Sequence, residues 1–129
     1  MDVYAQAKAV AHKIKECQKV LTAIGDETRQ HLLIELMQID DCRGVRVGEI
    51  TKRTNLSRPA VSHHLQILKD AGLINVRKEG TKNFYYFDSD MKSMKELIAA
   101  LQAAVDIALQ LPDREKSKIQ GEKHNEKRN

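Results

Sequence analysis

Between residues 57 and 82 the chain carries, at helical spacing and then along a hairpin, side chains suited to touching a nucleic acid. Arg58 offers a planar fork that matches guanine O6 and N7 or a phosphate, and the Gln66 amide matches the edge of adenine. Ser62 and His63 are adaptable donors or acceptors, while Ser57 and Pro59 stand at the start of the same run. Arg77, Lys78 and Lys82 follow as cations of the kind that neutralise phosphates. This is the chemistry of recognition. Bond-making is not indicated, because there is no Gly-rich phosphate loop, no His-Glu-x-x-His run and no nucleophile elbow. No catalytic residue is assigned, and the chain reads as a non-enzyme.

The remaining reactive groups are few. Two cysteines, Cys17 and Cys42, cannot build a disulfide framework and read as reduced thiols. Cys17 falls on an apolar helical seam and is expected to be buried and inert, whereas Cys42 lies in a polar loop and is expected to be accessible. Asp40, Asp41 and Cys42 with His31 or His12 match no recognised metal template, so neither a metal nor any other cofactor is assigned.

Charge supports the recognition reading through its distribution more than its size. The net charge is +4 over 129 residues, yet residues 45–82 hold eight Lys/Arg against three Asp/Glu. Basic charge concentrated on one segment is the footprint of phosphate neutralisation. With 41% apolar residues, the length suits one domain with a modest core. No run approaches the ~20 apolar residues of a membrane span, and Asp2, Lys8 and Lys13 interrupt the N-terminal apolar residues, unlike a secretory signal. A cytoplasmic protein without a membrane partner is expected.

The elements that must position these side chains can be read from periodicity. Val3, Ala7, Val10, Ile14, Cys17, Leu21 and Ile24 alternate in steps of four and three, which predicts one long helix with a heptad seam. Gly25 interrupts it, and Asp26 with Glu27 forms an N-cap and acidic first turn for a second helix over Thr28 to Gln38. Leu32, Leu33, Leu36 and Met37 are its expected buried stripe. After the polar stretch from Ile39 to Gly44, Val47 and Ile50 mark a short third helix.

The next residues predict a helix-turn-helix. Asn55 sits where a tight turn wants a left-handed residue, Leu56 can plug the space between the helices, and Ser57 is placed to cap a fourth helix from Arg58 to Ala71. Pro59 fits a first helical turn, where a missing N–H has no intrahelical partner. A rotation of about 100° per residue gathers Val61, Leu65 and Leu68 on an inner face and turns Pro59, Ser62, His63 and Gln66 outward. His64, at the edge of the inner stripe, reads as a hydrogen-bonded structural histidine. Gly72 ends the helix, and Leu73 can fold back on its last turn.

Leu73 to Phe87 is rich in β-branched and aromatic residues around Glu79-Gly80, which predicts a hairpin with Arg77, Lys78 and Lys82 near its tip. A basic hairpin directly after a recognition helix is a wing, able to reach phosphates or the minor groove. Tyr85 and Tyr86 are expected to pack that strand on the core. Ser89 then caps a last helix with Met94, Ile98, Leu101, Val105 and Ala108 on one face, stopped by Pro112. The fold class is therefore mainly α with a small β-hairpin: a winged helix-turn-helix of five helices, the hairpin lying between the fourth and fifth. Residues 1–111 form the DNA-binding and dimerisation domain, and the charged residues 112–129 form a flexible tail. Two seam-bearing helices have more apolar edge than one small core needs, which predicts a homodimer through Val3, Val10, Ile14, Cys17, Leu97, Leu101, Val105 and Ala108.

Taken together, Asp26-Glu27-Thr28-Arg29, Val47-Gly48-Glu49-Ile50, Leu56 to Leu65, Leu68 to Ile74, and Gly80 followed by Phe84-Tyr85-Tyr86 closely resemble the ArsR/SmtB family of bacterial transcriptional repressors. The resemblance covers roughly residues 3 to 111. It implies a homodimer built through the first and last helices, bound to an inverted-repeat operator in double-stranded DNA until an effector releases it. The family's metal sites are not reproduced. Where thiolate-bearing members carry a Cys-x-Cys-type motif, this chain has Arg46 and Gly48, and where zinc-bearing members use two carboxylates and two histidines it has Asp90, Lys92, Ala103 and Asp106. Two carboxylates and an ammonium do not complete a tetrahedral zinc site. The expectation is a repressor with an unidentified effector. The alternatives are a thiol-responsive repressor using Cys17 and Cys42, and a winged-helix interaction or architectural module without sequence readout.

Overall fold

The computed structural model describes residues 2–39, 41 and 43–111. Eight elements follow in chain order: α1 (Val3–Glu16), α2 (Gln18–Ile24), α3 (Glu27–Gln38), α4 (Val47–Lys52), α5 (Arg58–Asp70), β1 (Ile74–Glu79), β2 (Lys82–Phe87) and α6 (Lys92–Gln110). This is the winged helix-turn-helix expected from the sequence, with one difference. The first helix is two helices, broken at Cys17. The Cys17 N–H bonds back to Ile14 O at 2.9 Å, and α2 restarts with Leu21 N–H on Cys17 O at 3.0 Å. The break changes the buried register: the half-buried seam of α1 belongs to a helix packed on α6, while beyond Cys17 it is Val20 and Ala23 that enter the core.

Capping residues set the helix starts. Asp26 accepts the Arg29 N–H at 3.1 Å and opens α3, and Ser57 accepts the Ala60 N–H at 3.3 Å and opens α5. Ser89 does not cap α6. The N-cap is Met91, in the left-handed region and without a side-chain cap bond, and Asp88 instead holds the turn that leads into the helix: its Oδ2 accepts from Asp90 N at 3.1 Å and Met91 N at 2.8 Å, while its other oxygen is held by Asn75 Nδ2 of β1. These N–H donors, Met91 foremost, together with the Asn75 amide hold the Asp88 carboxyl below the usual carboxylate range, against a smaller opposing effect of desolvation. α6 ends at Gln110 with Leu111 extended at φ −74°, ψ 153°, the conformation expected before a proline.

β1 and β2 pair antiparallel in register from Ile74 with Phe87 to Glu79 with Lys82, leaving Gly80-Thr81 as a two-residue turn. Val45 adds a bridge to the outer side of this hairpin, exchanging two 2.8 Å hydrogen bonds with Tyr85. Gly44 makes the approach possible: its φ is 99°, and a Cβ there would stand 2.9 Å from Tyr85 O. Tyr85 packs on the core as expected, whereas Tyr86 points to the other face of the strand and is outside the core cluster.

The core is centred on Leu32, Ile50, Val61, Leu65, Leu68, Leu73, Ile74 and Leu97. On α3 the inner face is Arg29, Leu32 and Leu36, with Leu33 half-buried. Met37, expected inside, is 72% exposed, because the stripe centred on Leu32 and Leu36 has rotated away from it by the end of the helix. Asn55 is not left-handed, since Met91 is the sole non-glycine with positive φ among the described residues. The turn between α4 and α5 closes instead on right-handed 3₁₀-like bonds, Arg53 N–H to Ile50 O and Thr54 N–H to Thr51 O. Expectations resting on Asp40, Cys42, Pro112 and the tail lie outside the described residues.

Candidate nucleic-acid interface

Local chemistry fixes both ends of α5. Ser57 caps its start, Pro59 occupies the first turn, and the end is a Schellman closure in which Leu73 N–H bonds Leu68 O at 3.0 Å and Gly72 N–H bonds Lys69 O at 2.9 Å. Gly72 has φ 80°, and a Cβ there would meet Ser93 Oγ at 2.7 Å, so the closure needs glycine. Val61, Leu65 and Leu68 are completely buried, each contributing ~1.5–3 kcal/mol by area. With that face turned in, Arg58, Pro59, Ser62, His63 and Gln66 have to face out. All five are exposed, as is Ser57.

The outward groups are not equally prepared. Gln66 Nε2 donates to Asp70 Oδ1 at 2.8 Å, a bond one turn along the helix that orients the amide and leaves Oε1 and a second N–H available. Arg58 has no ion pair among the described residues. On the hairpin, Lys78 and Lys82 are exposed and likewise unpaired among those residues. Arg77 is engaged: its Nε donates to Glu79 Oε2 at 2.9 Å, and its guanidinium lies 5.0 Å from the Phe84 ring centre. Arg46 reaches the same ring at 5.7 Å, so two cations share one aromatic support midway along the wing. Arg46 was missed as a candidate because nothing adjacent in sequence joins it to Phe84.

The larger omission is Arg29. Its side chain is buried, the residue retaining 8% exposure, and it spans three elements. Nε donates to Ala23 O at 2.8 Å and Nη2 to Thr22 O at 3.0 Å, which supplies donors to the last carbonyls of α2. Nη1 stands 3.2 Å from His64 Nδ1 on α5 and 4.0 Å from Asp26 Oδ2. His64 is thus the hydrogen-bonded structural histidine expected. Burial pushes its pKa below the ordinary histidine value; among the charges around it, Asp26 pulls upward, and Arg29 and His63 push downward. No sequence signal announced this contact beyond an arginine placed on the inner face of α3.

Away from the reader, α6 leaves an apolar stripe uncovered: Ile98, Leu101, Val105 and Leu109, from 43% exposed at Leu101 to 80% at Leu109. Ala108 is exposed beside them. Two residues assigned to a dimer face are elsewhere. Leu97 and Cys17 are buried in the chain's own core, Leu97 because it lies about 100° around α6 from Ile98 and Cys17 because it sits at the break between α1 and α2. Val3, Val10 and Ile14 are half-buried on α1, which packs against α6 of the same chain.

At the positions matching the family's metal ligands, Asp106 accepts from Gln102 Nε2 at 3.1 Å and Asp90 faces Lys95 Nζ at 3.9 Å. Arg46 is the N-cap of α4, and Gly48 lies in its first turn. Among the described residues no three His, Cys, Asp or Glu side chains come together in a metal-ligating group. No helix among them is long and apolar enough to cross a membrane.

Comparison with known proteins agrees with this geometry. The sequence profile of bacterial regulatory proteins of the arsR family matches residues 26–76, from the α3 cap through the middle of β1. The transcriptional activator HlyU of Vibrio cholerae is 37% identical over 83 residues, spanning 64% of this chain and 73% of that protein. The transcriptional repressor SdpR of Bacillus subtilis is 34% identical over 79 residues, spanning 61% and 81%. Among solved structures, an ArsR-like transcriptional regulator from Rhodococcus sp. RHA1 superposes with a TM-score of 0.60 at 26% identity, over 78% of this chain and 89% of that one. The chain belongs to the arsR family of bacterial regulatory proteins and is a winged helix-turn-helix transcriptional regulator.

Proposed function

We propose that the chain is a homodimeric, sequence-specific repressor that binds an inverted-repeat operator in double-stranded DNA through α5 and the hairpin. The observation that carries this reading is the division of α5: Val61, Leu65 and Leu68 are fully buried, and the five outward residues are polar or proline and open to solvent. Such a helix can enter a major groove without giving up any packing of the domain. Arg58 is assigned to guanine or phosphate, Gln66 to adenine, and Ser57, Ser62, His63 and Pro59 to the surrounding contact surface. Lys78 and Lys82 are assigned to phosphates beside the groove, with Arg77 shaping the wing through Glu79 and Phe84.

Homodimerisation is supported by the stripe of Ile98, Leu101, Val105 and Leu109, with Ala108 beside it. A second copy would cover that stripe and supply a second α5 for the other half-site. Repression then follows from occupancy, since a dimer seated across a promoter excludes polymerase. The trigger is assigned to neither of the family's metal sites, because Arg46 and Gly48 stand in place of the thiolates of one and Lys92 and Ala103 in place of the histidines of the other.

The test is selection from a random duplex pool, followed by mobility shifts with the selected duplex and with scrambled duplex. A preference of at least about 10³ for the selected duplex is expected, with a twofold-symmetric consensus. Equal affinity for both duplexes would leave an architectural module in its place. Release of DNA by one equivalent of zinc would overturn the assignment of a trigger outside the metal sites.

A further inference from the structure

We propose that Arg29 is a positioning residue for the DNA-reading helix: anchored on the last carbonyls of α2, it holds His64 and so sets the rotation at which α5 presents Ser62, His63 and Gln66. The proposal rests on the reading of α5 as the DNA-contacting helix. Three observations carry it. The guanidinium is buried and already committed to Ala23 O at 2.8 Å and Thr22 O at 3.0 Å, so it is a fixed post and not a mobile side chain. Its third contact, Nη1 to His64 Nδ1 at 3.2 Å, is the one side-chain hydrogen bond from α5 to another element among the described residues. His64 is followed by buried Leu65 and preceded by exposed Ser62 and His63, so the residue that Arg29 holds lies between the packed face and the reading face.

The physical argument concerns direction. Burial of Val61, Leu65 and Leu68 drives α5 against the domain, but the hydrophobic effect is non-directional. A hydrogen bond has a preferred line and length, and a planar fork held at two other points transmits that line rigidly. Releasing it lets α5 roll on its apolar face. The outward side chains would then be displaced together, at the distances on which base contacts depend, while phosphate contacts through flexible lysines would adjust.

The same bond makes the arrangement sensitive to protons. A guanidinium has donors only, so His64 Nδ1 must accept, which places the ring proton on Nε2 of a neutral imidazole. Protonation turns Nδ1 into a donor and sets two cations 3.2 Å apart. Loss of solvation opposes that cation most, Asp26 favours it, and Arg29 and His63 oppose it. Because burial lowers the His64 pKa, the bond holds at and above the ordinary histidine value and is lost as pH falls through the lowered one.

The experiment measures the affinity ratio between the selected and a scrambled duplex for the full chain at about pH 8 and about pH 5.5, with circular dichroism at each pH. Wild type is expected to lose its ratio by about tenfold on acidification, and His64→Asn, which keeps an acceptor near Nδ1 but cannot titrate, to stay flat at the wild-type alkaline value. Arg29→Lys, which cannot serve three acceptors with one planar fork, is expected to lose about tenfold already at the higher pH while remaining folded. His63→Asn should still show the acid loss. If His64→Asn titrates as wild type does, or His64→Leu keeps the full ratio at both pH values, the proposal is overturned. If Arg58→Ala and Gln66→Ala leave the ratio untouched, the reading of α5 has failed and takes the proposal with it; if those two reduce it and the Arg29 and His64 variants do not, the positioning role alone is wrong.

Discussion

Helices α5 and α6 are built to the same period and differ in what they leave outside. Each turns an apolar face inward: Val61, Leu65 and Leu68 on α5, and Leu97, Ala100 and Ile107 on α6. The outer face of α5 is arginine, proline, serine, histidine and glutamine, all able to rest in water. The outer face of α6 is Ile98, Leu101, Val105 and Leu109, which is not. A helix with one apolar face is complete once docked on its domain, whereas a helix apolar on two faces needs a second cover. The comparison separates an outer surface that is polar and at rest in water from an apolar one that the chain's own core leaves uncovered.

Charging the α6 stripe should break the comparison most strongly. Leu101→Glu with Val105→Glu is expected to give a monomer in sedimentation while circular dichroism stays native, with operator affinity falling by about 10²–10⁴-fold as the second half-site ceases to be intramolecular. An unchanged dimer would show that the exposed stripe is not the interface. On α5 the corresponding change is smaller. Arg58→Ala or Gln66→Ala should cost about 1–3 kcal/mol against the selected duplex, relax selectivity at one or two base positions, and leave the oligomeric state alone. Loss of affinity for all duplexes alike would reassign Arg58 from bases to phosphate.

Smaller effects sharpen the division within the reader. Ser57→Ala removes the cap of α5 and should lower stability in urea by ~1 kcal/mol, with no change in the salt dependence of binding. Lys82→Ala or Lys78→Ala should do the reverse, leaving stability alone and reducing the salt slope by about 1 per lysine. Between the two helices stands Asp88, tied to Asn75 on the hairpin and to the first N–H groups before α6. Its carboxyl is held low by those donors, Met91 first, so its contribution to stability is present above the ordinary carboxylate range and is lost as pH falls through the depressed value. Asp88→Asn should flatten the acid limb of the stability curve measured by thermal melts.

The outward face of α5 was legible because every signal for it is local. Ser57 and Pro59 start the helix, Gly72 and Leu73 end it, and the period between them decides which side chains are inside. The errors cluster where distant residues decide. Met37 looked buried because it is apolar and near the stripe, yet its exposure is set by where α3 sits against α5. Ser89 looked like a cap, but α6 starts at Met91 without a side-chain cap, after a turn held by Asp88, which Asn75 reaches from thirteen residues earlier and another element. One long first helix was expected because the heptad spacing is continuous, and nothing local at Cys17 declares the break.

What the amino-acid sequence determined by itself was the order and type of the elements apart from the break at Cys17, the polar face of α5 and the basic character of the hairpin, since propensity, capping and periodicity act over a few residues. Only the tertiary structure decided how those pieces are joined. It placed Arg29 against His64 across 35 residues of chain, brought Arg46 and Arg77 to the same Phe84 ring, buried Leu97 while leaving Ile98 open, and turned the first helix at Cys17. The physical reason is common to all four: each depends on the distance between elements, and that distance is a property of the packed core.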